Sequence, residues 1–224
     1  MKTIEQQRAR ELRADGCSVR EIQRHLGVSR SSVSRWVRDV VLTKENRDAL
    51  AARVTEGKLR TAKEKAATAR SVRQGYQENG RRLARVRGPG YSAGCMLYWA
   101  EGGKGRNVVE ISNSDPALIA FFASFLRRYF AVENEAMRVH CNLFADHVGR
   151  QREIEQFWLS TLGLPRSSLR KSTINTYSKY SAKKRTNKLP YGTCKFVVCN
   201  TRIVQTIFGS IQEYAGVDRP EWLD

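Results

Sequence analysis

The feature that most restricts this chain is a set of helix stop and start signals crowded between Gly16 and Ser29. Residues 3–15 are polar and helix-forming, and Gly16 ends that run. Ser18-Val19-Arg20-Glu21 has the spacing of a capping box, in which the Ser18 hydroxyl and the Glu21 carboxylate satisfy the orphan amides that open a second helix. Leu26-Gly27-Val28 closes it, with Gly27 suited to the left-handed turn, and Ser29 caps a third helix predicted from Arg30 to about Val41. Helices this short do not hold alone in water, so they must pack on one another. Val33, Trp36, Val37 and Val40 follow the i, i+3, i+4, i+7 rhythm and predict a face resting on Leu12, Ile22, Leu26 and Val28.

The opposite face of the third helix carries Arg30, Ser31, Ser34, Arg35 and Arg38. Composition says what such a face is for. Forty Lys and Arg stand against 22 Asp and Glu, a formal charge of +18 with a pI near 10.2. An excess of that size calls for an anionic partner, and duplex DNA is the one that a short exposed helix fits. Arg bonds guanine O6 and N7 in the major groove, while Ser and Arg also reach phosphates. Ser31, Ser34 and Arg35 are the expected base readers; Arg30 and Arg38 serve equally well as phosphate clamps. The alternative use of such a helical hairpin, protein contact, does not call for the surplus of arginine.

The run Ser18 to Trp36, with Glu21-Ile22, Leu26-Gly27-Val28-Ser29 and Val33-Ser34-Arg35-Trp36, resembles the helix-turn-helix domains of resolvases, transposases and many bacterial regulators. That resemblance implies sequence-specific binding of double-stranded DNA by residues 1–43.

Residues 44–90 read as a helical linker rich in Ala, Lys, Arg, Glu and Gln, with a thin apolar stripe at Leu59, Ala62, Ala66, Ala69 and Tyr76. Gly57, Gly75 and Gly80 each weaken it by about 1 kcal/mol relative to Ala, so a break or kink is expected. A charged spacer is the favoured reading over a weak coiled coil or a helix laid along phosphates, because no clean heptad persists. Gly88-Pro89-Gly90 then turns the chain.

Charge and aromatic residues divide unequally about that turn. Residues 1–90 carry a net +12 and 91–224 a net +6, while Trp36 and Tyr76 are the only aromatics before Tyr91. The larger core therefore belongs to 91–224. Its pattern predicts a helix over 92–102, a strand over 107–112, a turn at Asn113-Ser114-Asp115-Pro116 and a helix over 117–130. A strand over 137–144, a helix over 153–162, a strand over 193–199 and a helix over 203–214 complete it. The expected class is α+β, an all-α helix-turn-helix and spacer followed by an α/β sandwich with an antiparallel or mixed sheet.

Gly94-Cys95-Met96-Leu97-Tyr98-Trp99-Ala100-Glu101-Gly102 resembles the LAGLIDADG motif, and the order of elements around it is similar to that homing-endonuclease family over most of 91–215. The resemblance implies a helix at 92–102 that pairs with a second copy, a sheet that grips the major groove, and Glu101 as a Mg²⁺ ligand and catalytic carboxylate. Trp99 stands where the family usually has a second acid. Hard oxygen ligands suit Mg²⁺-assisted phosphodiester hydrolysis, so one Glu101 per chain implies a homodimer if DNA is cut. Lys104 or Lys195 would then support the transition-state charge. Because the fold has non-cleaving relatives, bacterial sporulation regulators among them, the reading of Glu101 as a helix-end carboxylate with no cofactor stands slightly ahead.

Arg166 to Lys195 holds nine Lys or Arg and no acid. Arg170, Lys171, Tyr177, Lys179, Lys183, Lys184, Arg185 and Lys188 are the expected phosphate contacts of this stretch, with Tyr180 and Tyr191 beside them. Five scattered cysteines without a C-x-x-C pair predict reduced thiols, and His25, His140 and His147 match no transition-metal pattern. With no 18-residue apolar run and no apolar signal core at the N-terminus, the expectation is a cytoplasmic, nucleoid-associated protein away from membranes. A transcriptional regulator or repressor leads; a Mg²⁺-dependent homing endonuclease, or related nuclease of a mobile element, is the alternative.

Overall fold

The structure is a computed structural model that describes residues 2–175 and 189–224, and its chain falls into two compact units, Met1–Thr68 and Ala69–Asp224. The class is α+β: a helical N-terminal region and a small mixed sheet further on.

In the first unit α1 (Lys2–Ala14), α2 (Val19–Leu26) and α3 (Arg30–Trp36) meet over Ala9, Ile22, Val33 and Val37, with Leu12, Cys17, Val19, Leu26, Val28, Trp36 and Val40 packed around them. The punctuation acts as its chemistry requires. Ser18 Oγ accepts from Glu21 N at 3.2 Å while Glu21 Oε2 accepts from Ser18 N at 2.6 Å. Gly27 turns left-handed at φ 65°, and Ser29 Oγ accepts from Ser32 N at 3.1 Å. The third helix is shorter than expected, ending at Trp36 rather than near Val41, because Val37 leaves helical geometry at φ −109°, ψ 9°. Arg10 stabilises that end by donating to the Trp36 carbonyl at 2.9 Å and, through both terminal nitrogens, to Asp39 at 2.7 and 2.8 Å. Val37 and Val40 still reach the core from the turn beyond the helix.

Helix α4 (Lys44–Val86) runs without a break through Gly57 and Gly75, both in open space. Its first turns belong to the helix-turn-helix unit, because Asn46 donates to the Ala14 carbonyl at 2.8 Å and Arg53 to the Gly16 carbonyl at 2.7 Å. Leu59, Ala62, Ala66 and Ala69 are exposed, as a thin stripe predicts. Its last turns do not behave as a spacer. Arg73, Gln77, Gly80 and Ala84 are buried within the second unit against α8 (Thr201–Ala215), where a Cβ on Gly80 would collide with the Thr206 carbonyl and one on Gly209 with that of Gln77. Two glycines thus bring the helix backbones together. Gln77 donates to Gln205 at 2.7 Å and accepts from Gln212 at 2.9 Å, so the buried amides of that crossing satisfy one another.

The rest of the second unit is α5 (Pro89–Glu101), β1 (Val109–Asn113), α6 (Pro116–Phe130), β2 (Met137–Phe144), α7 (Gln151–Leu162), β3 (Thr173–Asn175) and β4 (Thr193–Val198), followed by α8. Strand order is β1-β4-β2-β3, antiparallel except for the parallel pair β2·β3. The short β3 escapes the sequence pattern. Val109, Ile111, Val139, Cys141, Phe196 and Val198 point into a core filled by α5, α6, α7 and α8, with Phe122, Trp158 and Phe208 at its centre. Asp115 caps α6 by accepting from Ala117 N at 2.8 Å, and Pro116 fits the first helical position.

Candidate nucleic-acid interface

Two exposed polar surfaces stand out, one on each unit. On α3, Arg30, Ser31, Ser34 and Arg35 are exposed, and Arg38 is exposed in the turn just beyond the helix. The three arginines form no ion pair with any described residue, in contrast to Arg10, which Asp39 holds, and Arg53, which reaches Glu21 at 3.3 Å. The guanidinium of Arg10 lowers Asp39 to about 2. The Ser29 hydroxyl lies 2.9 Å from those of both Ser31 and Ser32, which orients the serines at the start of the helix.

The second surface is the sheet face that, among the described residues, no helix covers. Strand alternation sends Glu110 and Ser112 of β1, Arg138, His140 and Asn142 of β2, and Lys195 of β4 to that side, all partly or fully exposed. His140 sits opposite Lys195 in the ladder, and its Nε2 lies 3.1 Å from Asn142 Oδ1 and 3.0 Å from Thr173 Oγ1. The row is a continuous set of donors and acceptors. The period-two pattern Met137-Arg138-Val139-His140-Cys141-Asn142-Leu143 was the signal that could have named Arg138, His140 and Asn142 as site residues.

Of the basic stretch, Arg170 and Lys171 are exposed on a strap beside β2, where Arg170 N donates to the Val139 carbonyl at 2.8 Å. Arg166 has a structural task. It donates to Glu155 at 2.7 Å, a buried carboxylate that also accepts from Ser172 at 2.7 Å and Gln151 at 2.8 Å. Burial pushes the Glu155 pKa up, yet these donors and the nearby cation hold it below the usual carboxylate value. The Tyr191 ring stacks on Phe157 with centroids 3.7 Å apart, which gives it a packing role. Tyr177, Lys179, Tyr180, Lys183, Lys184, Arg185 and Lys188 lie outside the described residues.

Glu101 ends α5 in an exposed position and accepts from Asn113 Nδ2 at 3.2 Å. Among the described residues no three His, Cys, Asp or Glu gather into a metal-binding group. Hard-ion binding at Glu101 would therefore draw its remaining ligands from DNA phosphates, water and a second copy. The two lysines proposed beside it have other partners. Lys104 Nζ donates to the carbonyls of Trp99 at 2.9 Å and Gly102 at 2.5 Å, closing the end of α5, and burial lowers its pKa. Lys195 pairs with Glu110 at 2.8 Å.

The cysteines are unpaired; Cys95, Cys141 and Cys194 are buried, and burial lifts Cys95 to about 12 and Cys141 to about 11. Among the described residues no helix is long and apolar enough to cross a membrane.

No curated protein and no solved structure matches the chain. Residues 3–50 match the family model of a homeodomain-like domain, a span that includes α1, α2, α3 and the Asn46 contact from α4. Residues 3–50 thus form a helix-turn-helix similar to homeodomain-like domains, and that similarity points to DNA as its partner.

Proposed function

We propose that this protein is a sequence-specific double-stranded DNA-binding protein that acts as a transcriptional regulator, holding DNA through α3 and through the open face of the sheet. The supporting observation is the set of three exposed arginines, Arg30 and Arg35 on α3 and Arg38 in the turn that follows it, which have no acidic partner among the described residues, beside a helix whose other side is packed. Free guanidiniums on such a helix suit guanine edges and phosphates. On the sheet, Arg138, His140, Asn142 and Lys195 offer donors and acceptors to base edges, and Arg170 and Lys171 add charge beside them. The basic side chains of 179–188 extend this phosphate contact in the same reading. A protein with these partners works at the nucleoid.

Selection of a binding site from random duplexes, followed by mobility shift, tests the proposal. Arg35→Ala should lose about tenfold or more of the preference for the selected site over a scrambled one, the size of one good base contact. Equal discrimination by wild type and variant would remove Arg35 from the reading set.

A second reading is favoured by Glu101 alone. The exposed Glu101 carboxylate at the end of α5 supports this reading of a LAGLIDADG-type nuclease, in which Mg²⁺ held there would supply Lewis-acid stabilisation to a scissile phosphate. Dimerisation would use the α5 ridge of Ala93, Met96 and Ala100, which is exposed. Incubating protein with the selected duplex and Mg²⁺ separates the readings: site-specific cutting that Glu101→Gln abolishes establishes the nuclease, and intact DNA with tight binding sustains the regulator.

A further inference from the structure

Glu110 is the one carboxylate in the four described strands, and it lies on the open face of the sheet. Neighbours hold it on two sides. Oε2 meets Lys195 Nζ at 2.8 Å, each side chain 36% exposed. On the other side Gly103 N donates to the Glu110 carbonyl at 2.8 Å, and any side chain on Gly103 would press on Glu110 Cγ, since a Cβ would lie 2.6 Å from it. The backbone of Gly103 therefore backs the carboxylate against the sheet.

Stability does not account for this pair, because a half-exposed ion pair contributes little in water. Nor does affinity for phosphate, which a carboxylate repels. What an acceptor and a donor held side by side do match is a base-pair edge. In the major groove a C·G pair presents the N4 amino group of cytosine next to the O6 and N7 acceptors of guanine.

We infer that Glu110 and Lys195 form a base-reading element specific for one C·G pair, Glu110 accepting from cytosine N4 and Lys195 donating to guanine O6 and N7. The inference rests on the open sheet face as a DNA contact. The carboxylate acts mainly by exclusion: bases without an amino hydrogen at that position leave it facing an acceptor, unpaired and desolvated.

The test uses the full chain and its selected duplex, with each base pair of the site substituted in turn and competed in a mobility-shift assay. Wild type should discriminate at one C·G position by about tenfold. Glu110→Gln, whose amide keeps the shape, should lose that preference at that position alone, and Lys195→Met should lose it at the same position together with some affinity. Unchanged preference in both variants, or effects at two unrelated positions, overturns the inference. A double variant Arg138→Ala with Asn142→Ala keeps the two failures apart. If it weakens or broadens binding while Glu110→Gln does not, the sheet contacts DNA and the Glu110 assignment is wrong. If it binds as wild type does, the sheet reading itself fails and the inference with it.

Discussion

The two units of this protein build their exposed polar surfaces in different ways. In the first, arginines lie a few residues apart on one short helix and the turn after it, and local rules of capping and periodicity place them. In the second, the polar row of the sheet joins Ser112, Lys195, His140 and Thr173 from four strands, which only β pairing brings together. The helix face is a product of sequence proximity; the sheet face is a product of topology. Damage to one core should therefore spare the other surface.

The sharpest way to break that comparison is Ile22→Ala. Ile22 is fully buried in the small core of the first unit, and its truncation should cost about 2–5 kcal/mol. Amide exchange should show α1, α2 and α3 losing protection while β2 and β4 keep theirs. Simultaneous loss in both units would contradict their independence.

Glycines within one helix sharpen it further. Gly80→Ala should destabilise the second unit by about 1–3 kcal/mol or more, because the Thr206 carbonyl has no room to retreat. Gly57→Ala, in open space on the same helix, should stabilise by about 0.5–1 kcal/mol. Denaturant midpoints that move in the same direction would refute the contrast.

The smallest expected effect is a pH dependence confined to the first unit. Asp39 is held at about 2 by Arg10, below its ordinary value of 3.8. A folded value below the unfolded one means that the stabilisation is present above about 3.8 and is lost as pH falls toward 2. Asp39→Asn should remove that part of the acid dependence of helix-turn-helix melting; an identical acid profile would show the pair to be without weight.

How far the sequence could be read follows the same division. The capping box, Gly27 and Ser29 are local chemistry, and the structure holds them where their spacing puts them. The end of α3 was misplaced by about a turn, because Arg10, far away in sequence, holds that end through the Trp36 carbonyl. In the second unit the long elements were legible from their periodicity, β2 over its whole length. The three-residue β3 was not, since a strand that short has no pattern of its own and exists through its pairing with β2. The docking of α4 was hidden for a related reason. Gly80 reads as a helix weakener until Gly209 is seen opposite. Lys104, expected beside Glu101, and Arg166, counted in the basic stretch, instead have a helix end and a buried carboxylate as their partners. The exposure of Arg30 and Arg35 on α3 was legible, because helical periodicity alone puts them opposite the packed face.

The central claim is that α3 lies against duplex DNA. The salt dependence of binding tests it most directly, as the slope of log K against log salt for wild type and for Arg30, Arg35 and Arg38 all changed to Ala. Removing one phosphate-bound cation should flatten the slope by about one, so the triple variant should be shallower by about two to three. The same comparison with Lys183, Lys184 and Arg185 changed reports on the basic stretch. A slope for the α3 variant indistinguishable from wild type would contradict the account.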